Sequence, residues 1–346
     1  MRPSAVGFAV VIAAVLLLPG TVRAQGSPPG GEWLKYRDHF ITRDGRVLDT
    51  GNHAHSHSEG QGWAMLFAAS FGDCPAFDRI WGWTRQHLQR RDSALFSWQW
   101  DPLADNPISD TNNASDGDIM IAWALARAAG RCARPEYRRE AERIVVDIRH
   151  RLVETISGQL VLLPGTEGFK EGDGTTIVNP SYYVYPAFRE FGALDPSPVW
   201  TRLRQDGLAL LDKARFGRWG LTPDWIELHR DGGVSPDTHR PPRFGFDAIR
   251  IPLYLIWGGA VTPDRLAADL RFWDAFPGRP IPAWTDVRDG SVAPYAVPSG
   301  FQAIIELARG LGAAKPPPLP AIADSDDYYS ASLTLLAGMA RRAVAR

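Results

Sequence analysis

The stretch Ser56-His57-Ser58-Glu59-Gly60-Gln61-Gly62-Trp63-Ala64-Met65-Leu66 passes from a His-rich, extended segment into an apolar run. Residues 62–71 carry apolar side chains at a period of about 3.6, which predicts a helix. One carboxylate, Glu59, stands at its mouth, with Gly60 and Gly62 beside it and Trp63 one turn on. Two readings are open on these residues alone. In the first, Ser58 is the N-cap and Glu59 lies in the first turn, compensating the positive end of the helix dipole. In the second, Glu59 is a general acid whose proton affinity is raised by apolar and aromatic neighbours.

The same period recurs on both sides. It predicts helices over 32–41, 75–90, 115–130, 135–156, 181–191, 199–216, 246–257, 263–276, 299–311 and 326–345, about eleven in all. Pro75 and Pro135 stand where helices start, and Gly130 where one stops. Residues 159–163 are a strand candidate. Thr42-Arg43-Asp44-Gly45 reads as a tight turn, and 313–320 is a Pro-rich connection before the last helix. The helices pair in sequence without a repeat. The fold class is therefore all-α and the chain reads as a single domain; it is longer than the usual single-core limit, but a closed ring of helix hairpins can grow that large.

Residue 1 to residue 24 reads as a secretory signal. Arg2 gives positive charge, 6–18 is apolar but short for a membrane span, and Val22-Arg23-Ala24 suits cleavage after Ala24. The mature domain is then 25–346, and export to the periplasm or beyond is expected. Lys and Arg number 38 against 39 Asp and Glu, so no basic excess points to nucleic acid and no acidic tail to disorder. Cys74 and Cys132 lie near predicted helix edges; an exported chain permits a disulfide between them, and sequence leaves the question open. His53, His55 and His57 alternate, which on a strand places three imidazoles on one face. A structural or substrate-lining role fits them better than a metal site, because no acidic or Cys cluster accompanies them. Thirteen Trp is the unusual count. Most serve an interior, but a surplus suits stacking on sugar rings.

Further carboxylates stand at other predicted helix starts. Thr111-Asn112-Asn113-Ala114-Ser115-Asp116-Gly117-Asp118 offers Ser115 as N-cap and two acids in the first turn, with dipole compensation the plain reading and Ca²⁺ a weaker one. Asn179-Pro180-Ser181-Tyr182 is a Tyr-rich start. Phe246-Asp247-Ala248-Ile249-Arg250-Ile251-Pro252 puts Asp247 and Arg250 on one helix face, as a local ion pair or as chemistry. Phe96-Ser97-Trp98-Gln99-Trp100 reads as a short strand with both indoles on one face, and Pro223-Asp224-Trp225 as a loop with an acid beside an indole. In a ring of hairpins alternate helix ends meet at one rim. Glu59, Asp116, Tyr182 and Asp247 would then share one acidic, aromatic cleft. Paired carboxylates in such a cleft are what glycoside hydrolysis requires.

Five segments, Ser58-Glu59-Gly60-Gln61-Gly62-Trp63-Ala64-Met65, Ala114-Ser115-Asp116-Gly117-Asp118, Asn179-Pro180-Ser181-Tyr182, Pro223-Asp224-Trp225 and Phe246-Asp247-Ala248-Ile249-Arg250-Ile251-Pro252, together resemble glycoside hydrolase family 8 in the family's order. Within that family the resemblance is to the periplasmic endoglucanases of bacterial cellulose synthase operons. It implies an (α/α)6 barrel with an open groove at one end, and endo-hydrolysis of β-1,4-glucan with inversion. It implies Glu59 as general acid, Asp247 as general base, Asp116 holding the sugar at the cleavage point, and Tyr182 and Arg250 lining the same subsite. Trp98, Trp100 and Trp225 are candidate sugar platforms. Trp63 departs from the pattern, standing where many members have Tyr.

Chemically, Glu59 must be protonated to donate to the leaving oxygen, and Asp247 ionised to accept from water, which pairing with Arg250 would favour. Inversion needs the two carboxyl groups roughly 6.5–9.5 Å apart. No metal or organic cofactor is called for. The expected partner is a β-1,4-glucan chain, with cellulose synthase or export machinery as a further partner, and the enzyme is expected to be a monomer. Rival readings are a hydrolase of xylan, lichenan or chitosan on the same scaffold, and a non-catalytic glycan-binding part of an export system. A helical-repeat scaffold would show a repeat period, which is absent.

Overall fold

Helix α1 (Gly31–Phe40) turns Trp33, Tyr36 and Phe40 inward, the face that a spacing of three and four residues creates. α3 (Cys74–His87), α5 (Pro135–Leu152), α7 (Val199–Lys213) and α9 (Pro263–Asp274) are amphipathic in the same way. α2 (Ser58–Phe71), α4 (Ser115–Arg131), α8 (Arg250–Trp257) and α11 (Tyr328–Val344) are buried on nearly every side. α6 (Tyr185–Leu194) and α10 (Ser299–Arg309) complete that inner set. This computed structural model describes residues 30–345, so the predicted signal, 1–24, lies outside the described residues.

The inner helices touch in the order α2, α4, α6, α8, α10, α11 and back to α2, which closes a ring. Outer and inner helices alternate along the chain, α1 before α2 through α9 before α10. The architecture is an (α/α)6 barrel. The sixth outer position holds no helix. Residues 310–327 run there as an extended strap containing Pro316, Pro317, Pro318 and Pro320. Proline lacks the amide donor and keeps the preceding residue out of the helical region, so this segment cannot coil. It is tied instead to the first helix: Ile322 N–H donates to Glu32 Oε2 at 2.8 Å, and Lys35 Nζ donates to the Ile322 carbonyl at 3.2 Å. The strap thus joins the two ends of the ring.

Most predicted helices form within a few residues of expectation, and three differ for local reasons. The helix expected over 135–156 ends at Leu152, and Val153–Ile156 becomes strand β3, paired with β4 (Gln159–Leu162). Val153, Thr155 and Ile156 are β-branched, and Ser157 and Gly158 both take positive φ, as a two-residue hairpin turn demands. The helix expected from 181 is a 3₁₀ turn, Pro180–Tyr182, followed by α6, whose start is placed by Pro186. The helix expected from 246 begins only at Arg250.

Small sheets decorate the rim where inner helices begin. β1 (Ser56–His57) pairs with β2 (Gln99–Trp100); β5 (Thr176–Val178), β6 (Ile226–Leu228) and β7 (Val234–Pro236) form a three-stranded sheet; β8 (Arg243–Phe244) pairs with β9 (Thr285–Asp286). Eight of the thirteen Trp lie in the core. A disulfide joins Cys74, at the start of α3, to Cys132, just past α4. It closes a loop spanning 58 positions, which by loop entropy stabilises the fold by about 4 kcal/mol. The double variant Cys74→Ser, Cys132→Ser should therefore melt several degrees lower than the oxidised protein. Identical melting curves would show that the bridge adds nothing.

Candidate active site

The first turns of the inner helices converge because glycine lets them. A Cβ on Gly117 would stand 2.8 Å from the Glu59 amide nitrogen, and one on Gly62 would stand 2.6 Å from Met120 Cβ. A Cβ on Gly60 would run into the Tyr328 ring of α11. The glycines flanking Glu59 are thus packing devices that draw α2 against α4 and α11. Neither expected serine cap is used. Ser58 and Ser115 are the first residues inside α2 and α4, His57 and Ala114 hold the cap positions, and neither cap bonds through its side chain. The close approach of the two helices buries both serine hydroxyls, and backbone bonds to the Trp98 and Pro164 carbonyls satisfy the Ser58 and Ser115 amides instead.

This convergence carries four charged groups to one point. Arg250, the first residue of α8, is 2% exposed. One terminal nitrogen donates to Glu59 Oε1 of α2 and lies 3.6 Å from Asp116 Oδ2 of α4. The other donates to Asp247 Oδ1 at 2.7 Å and to Ser181 Oγ at 2.9 Å. The ion pair expected between Asp247 and Arg250 therefore exists, but Asp247 lies in a turn ahead of the helix. The Arg250 and Ile251 amides bond only three residues back, to the Asp247 and Ala248 carbonyls, which makes this stretch a tight turn, and Asp224 braces it. Its Oδ1 accepts the amides of Gly245, Asp247 and Ala248 at 3.1, 3.0 and 2.7 Å, so those donors face the 222–225 loop. The Asp224 amide donates back to the Arg243 carbonyl at 2.7 Å.

Tyr182, in the 3₁₀ turn, lies with its ring 5.8 Å from the Arg250 guanidinium carbon and in edge contact with Trp225. Trp225 stacks on Phe169, with Arg240 over its ring. Trp63, fully buried, lies against Tyr328 and Tyr329 with the Arg250 guanidinium carbon 5.8 Å from its ring. Trp98 and Trp100 part company. Trp98 faces His57 and donates to Asp110 at 2.8 Å. Trp100 packs on Trp83 and His87 with Arg46 across its ring. The three histidines do not share a strand, since His53 and Ala54 take positive φ and break the extension. His55 and His57 each face a separate acid, Asp101 at 3.2 Å and Asp49 at 3.4 Å.

The chain matches the Glycosyl hydrolases family 8 over residues 8–343. It belongs to that family. It is 42% identical over 311 residues to a probable endoglucanase of Novacetimonas hansenii, covering 90% of each chain. It is 40% identical to an endoglucanase of Cellulomonas uda, covering 87% of this chain and 82% of the relative. The crystal structure of endoglucanase Cel10 from Klebsiella pneumoniae superposes with a TM-score of 0.86 at 40% identity, over 90% of this chain and 99% of that one. The endo-β-1,4-glucanase CMCax of Acetobacter xylinum gives 0.86 at 41%, over 91% and 98%.

In this family 8 chain the electrostatics of the cluster favour protons. Burial pushes Asp116 up to about 7 and Asp224 up to about 6. Asp247 rises well above the usual carboxylate range, through burial first and then the negative charges of Asp224 and Asp116, against the neighbouring Asn179 and Trp225, which favour its ionised form. The expected pairing with Arg250 exists, but burial and the charges of Asp224 and Asp116 outweigh its pull toward the ionised form of Asp247. Burial also raises Asp118 to about 8; it accepts from Phe96 N–H at 2.9 Å and Asn113 Nδ2 at 2.7 Å, fixing α4 to the Trp98 segment. Tyr182 rises well above its usual value, by burial and by the facing Asp116 and Asp247.

Sequence reasoning missed Asp224, Asn179, Ser181 and Tyr329, whose hydroxyl donates to the Phe246 carbonyl. Asp224 and Asn179 stood inside matching motifs, and that was the available signal. Tyr329 had none, since it arrives from the last helix.

Raised carboxyl groups make folding pH-dependent with a definite sign. Between an unfolded value near 3.8 and folded values near 7–8, folded Asp116, Asp118 and Asp269, an acid of α9 that burial raises to about 7, hold protons that the unfolded chain has released. Their stabilisation is complete below 3.8 and is lost as pH rises through 7–8. Buried His57, lowered to about 4 from 6.5, acts in the opposite direction only below 6.5. Melting temperature should therefore fall from pH 6.5 to 8.5, and Asp118→Asn should flatten that slope. A flat or rising wild-type curve would contradict it.

Proposed function

We propose that this chain is an endo-acting β-1,4-glucanase that cleaves cellulose with inversion at the anomeric carbon. The observation that carries the reading is the meeting of Glu59 and Asp247, from α2 and the turn before α8, on the two terminal nitrogens of one buried guanidinium. The endoglucanase relatives at 40–42% identity supply the substrate class.

Glu59 acts as general acid. It gives its proton to the glycosidic oxygen as the C1–O bond breaks, so the leaving chain departs neutral. Asp247 acts as general base, taking a proton from the water whose oxygen bonds to C1 from the opposite face. A water must fit between Asp247 and the sugar, and Asp247 is the most open of the three acids, 31% exposed against 19% for Glu59 and 7% for Asp116. Asp116 and Tyr182 hold the sugar at the cleavage point, and Arg250 keeps the acids in register. Trp98, at the rim, Trp225, beside Phe169 and Arg240, and Trp100, in edge contact with Trp83, serve as platforms for neighbouring sugars. No metal or organic cofactor enters this chemistry. The leader at 1–24 directs export to the periplasm, and the Cys74–Cys132 bridge supports an oxidising compartment. There the monomeric enzyme accompanies cellulose synthesis and secretion.

Reducing-end release from carboxymethylcellulose, xylan, lichenan and chitosan tests the substrate. Activity should be greatest on carboxymethylcellulose, and Glu59→Gln and Asp247→Asn should each lower kcat by a factor on the order of 10³ or more while the proteins stay folded. Proton NMR of the first product should show the α-anomer. A β-anomer would overturn inversion, and full activity of either variant would overturn its assignment. Greater activity on another glycan would keep the pair and change the substrate.

A further inference from the structure

The residue next to Trp225 has no part in the chemistry described so far, yet it holds more of the Asp247 turn than any other side chain. Asp224 Oδ1 accepts three consecutive-loop amides, those of Gly245, Asp247 and Ala248, and the Asp224 amide is itself bonded to the Arg243 carbonyl. The turn from 245 to 249 is therefore clamped at both ends by one residue of a different loop. Beside it, the Trp225 side chain favours the ionised form of Asp247. One dipeptide thus acts on the base twice, on its backbone through Asp224 and on its charge through Trp225.

We propose that Asp224 is a positioning residue of the general base: its carboxylate sets the backbone from which Asp247 projects, and its negative charge faces Asp247 across that turn. The inference rests on Asp247 being the base.

Three observations carry it. Three N–H donors on one oxygen form a nest that an anionic carboxylate fills best. The same bonds brace the tight turn ahead of α8, in which the Arg250 and Ile251 amides bond three residues back, to the Asp247 and Ala248 carbonyls. Lastly, there is no space for a larger group: a Cβ on Gly245 would lie 3.1 Å from Asp224 Oδ2 and 3.3 Å from Trp284 Cβ.

The surroundings of Asp247 define what removal of the Asp224 charge does. Facing Asp247 are Arg250 at the start of α8, Glu59 of α2 through the same guanidinium, and Asp116 of α4. Asn179, Ser181 and Tyr182 face it from the 3₁₀ turn, Asp224 and Trp225 from the 222–225 loop, and Tyr329 from α11. Arg243 of β8 faces Asp224. Two acids, Asp224 and Asp116, raise the proton affinity of Asp247. Taking away the Asp224 charge leaves Arg250 in place and lowers that affinity.

The test compares Asp224→Asn, Asp224→Ala and Asp247→Asn in pH–rate profiles on carboxymethylcellulose, with melting curves for each. Asp224→Asn keeps a carbonyl acceptor and loses the charge. Its acidic limb, which reports the base, should move to lower pH by on the order of one unit with KM within twofold. Asp224→Ala orphans three amides and should lose roughly tenfold or more in kcat with KM again little changed. If Asp224→Asn has the wild-type acidic limb, the charge coupling is wrong. If Asp224→Ala melts as wild type and keeps its kcat, the clamp is wrong; an effect confined to KM would make Asp224 a substrate contact instead. Should Asp224→Ala fail to fold, the acidic limb of Asp224→Asn decides alone. An active Asp247→Asn would overturn the base assignment itself, which separates that failure from this one.

Discussion

Arg250 is a cation with almost no contact with solvent, and taking a charge out of water costs several kcal/mol unless partners replace the lost hydration. Its partners are Glu59, Asp116 and Asp247, drawn from α2, α4 and the turn before α8. Each side of this arrangement needs the other. Without the guanidinium, three acids held at one rim would repel and take up protons; without the acids, Arg250 would be an uncompensated charge in the interior. The barrel supplies the geometry that reconciles them, since six inner helices begin at the same rim.

That geometry depends on small residues at the crossings. Gly60, Gly62 and Gly117 let α2 approach α4 and α11 more closely than any side chain would allow. The approach carries Glu59 and Asp116 to the same guanidinium, and it buries the serine hydroxyls that would otherwise cap these helices. At the far side of the ring the prolines of the 310–327 strap do the reverse, keeping a segment from coiling so that it can lie along α1 and join the chain ends.

Much of this was legible along the chain. The period of 3.6 marked all eleven helices, and the acids at positions 59, 116 and 247 stood out because each opens or precedes a helix beside glycine or an aromatic ring. What was not legible were relations across the chain. Asp224 read as an acid beside an indole, with nothing in its own neighbours to say that its three hydrogen bonds would go to residues 245–248. Val153–Ile156 continued the helical spacing of α5, although its β-branched residues and the Ser157-Gly158 turn that pairs it with Gln159–Leu162 were local signals for a strand. Trp98 and Trp100 alternate as a strand would have them, yet one faces His57 and the other packs under Arg46, because two residues of strand are too few to keep a common face.

By itself the sequence determined the local periodicity, the breakers that end helices, and the residue types at their starts, all of which depend on neighbours within a turn or two. From these the all-α class, the count of helices and the acidic candidates follow. The tertiary structure decided which of those acids share a charge, how far burial raises their proton affinity, and which loop holds the base in place. Those depend on distance through space and on removal of water, and residues 59, 116, 224 and 250 acquire both only when the ring closes.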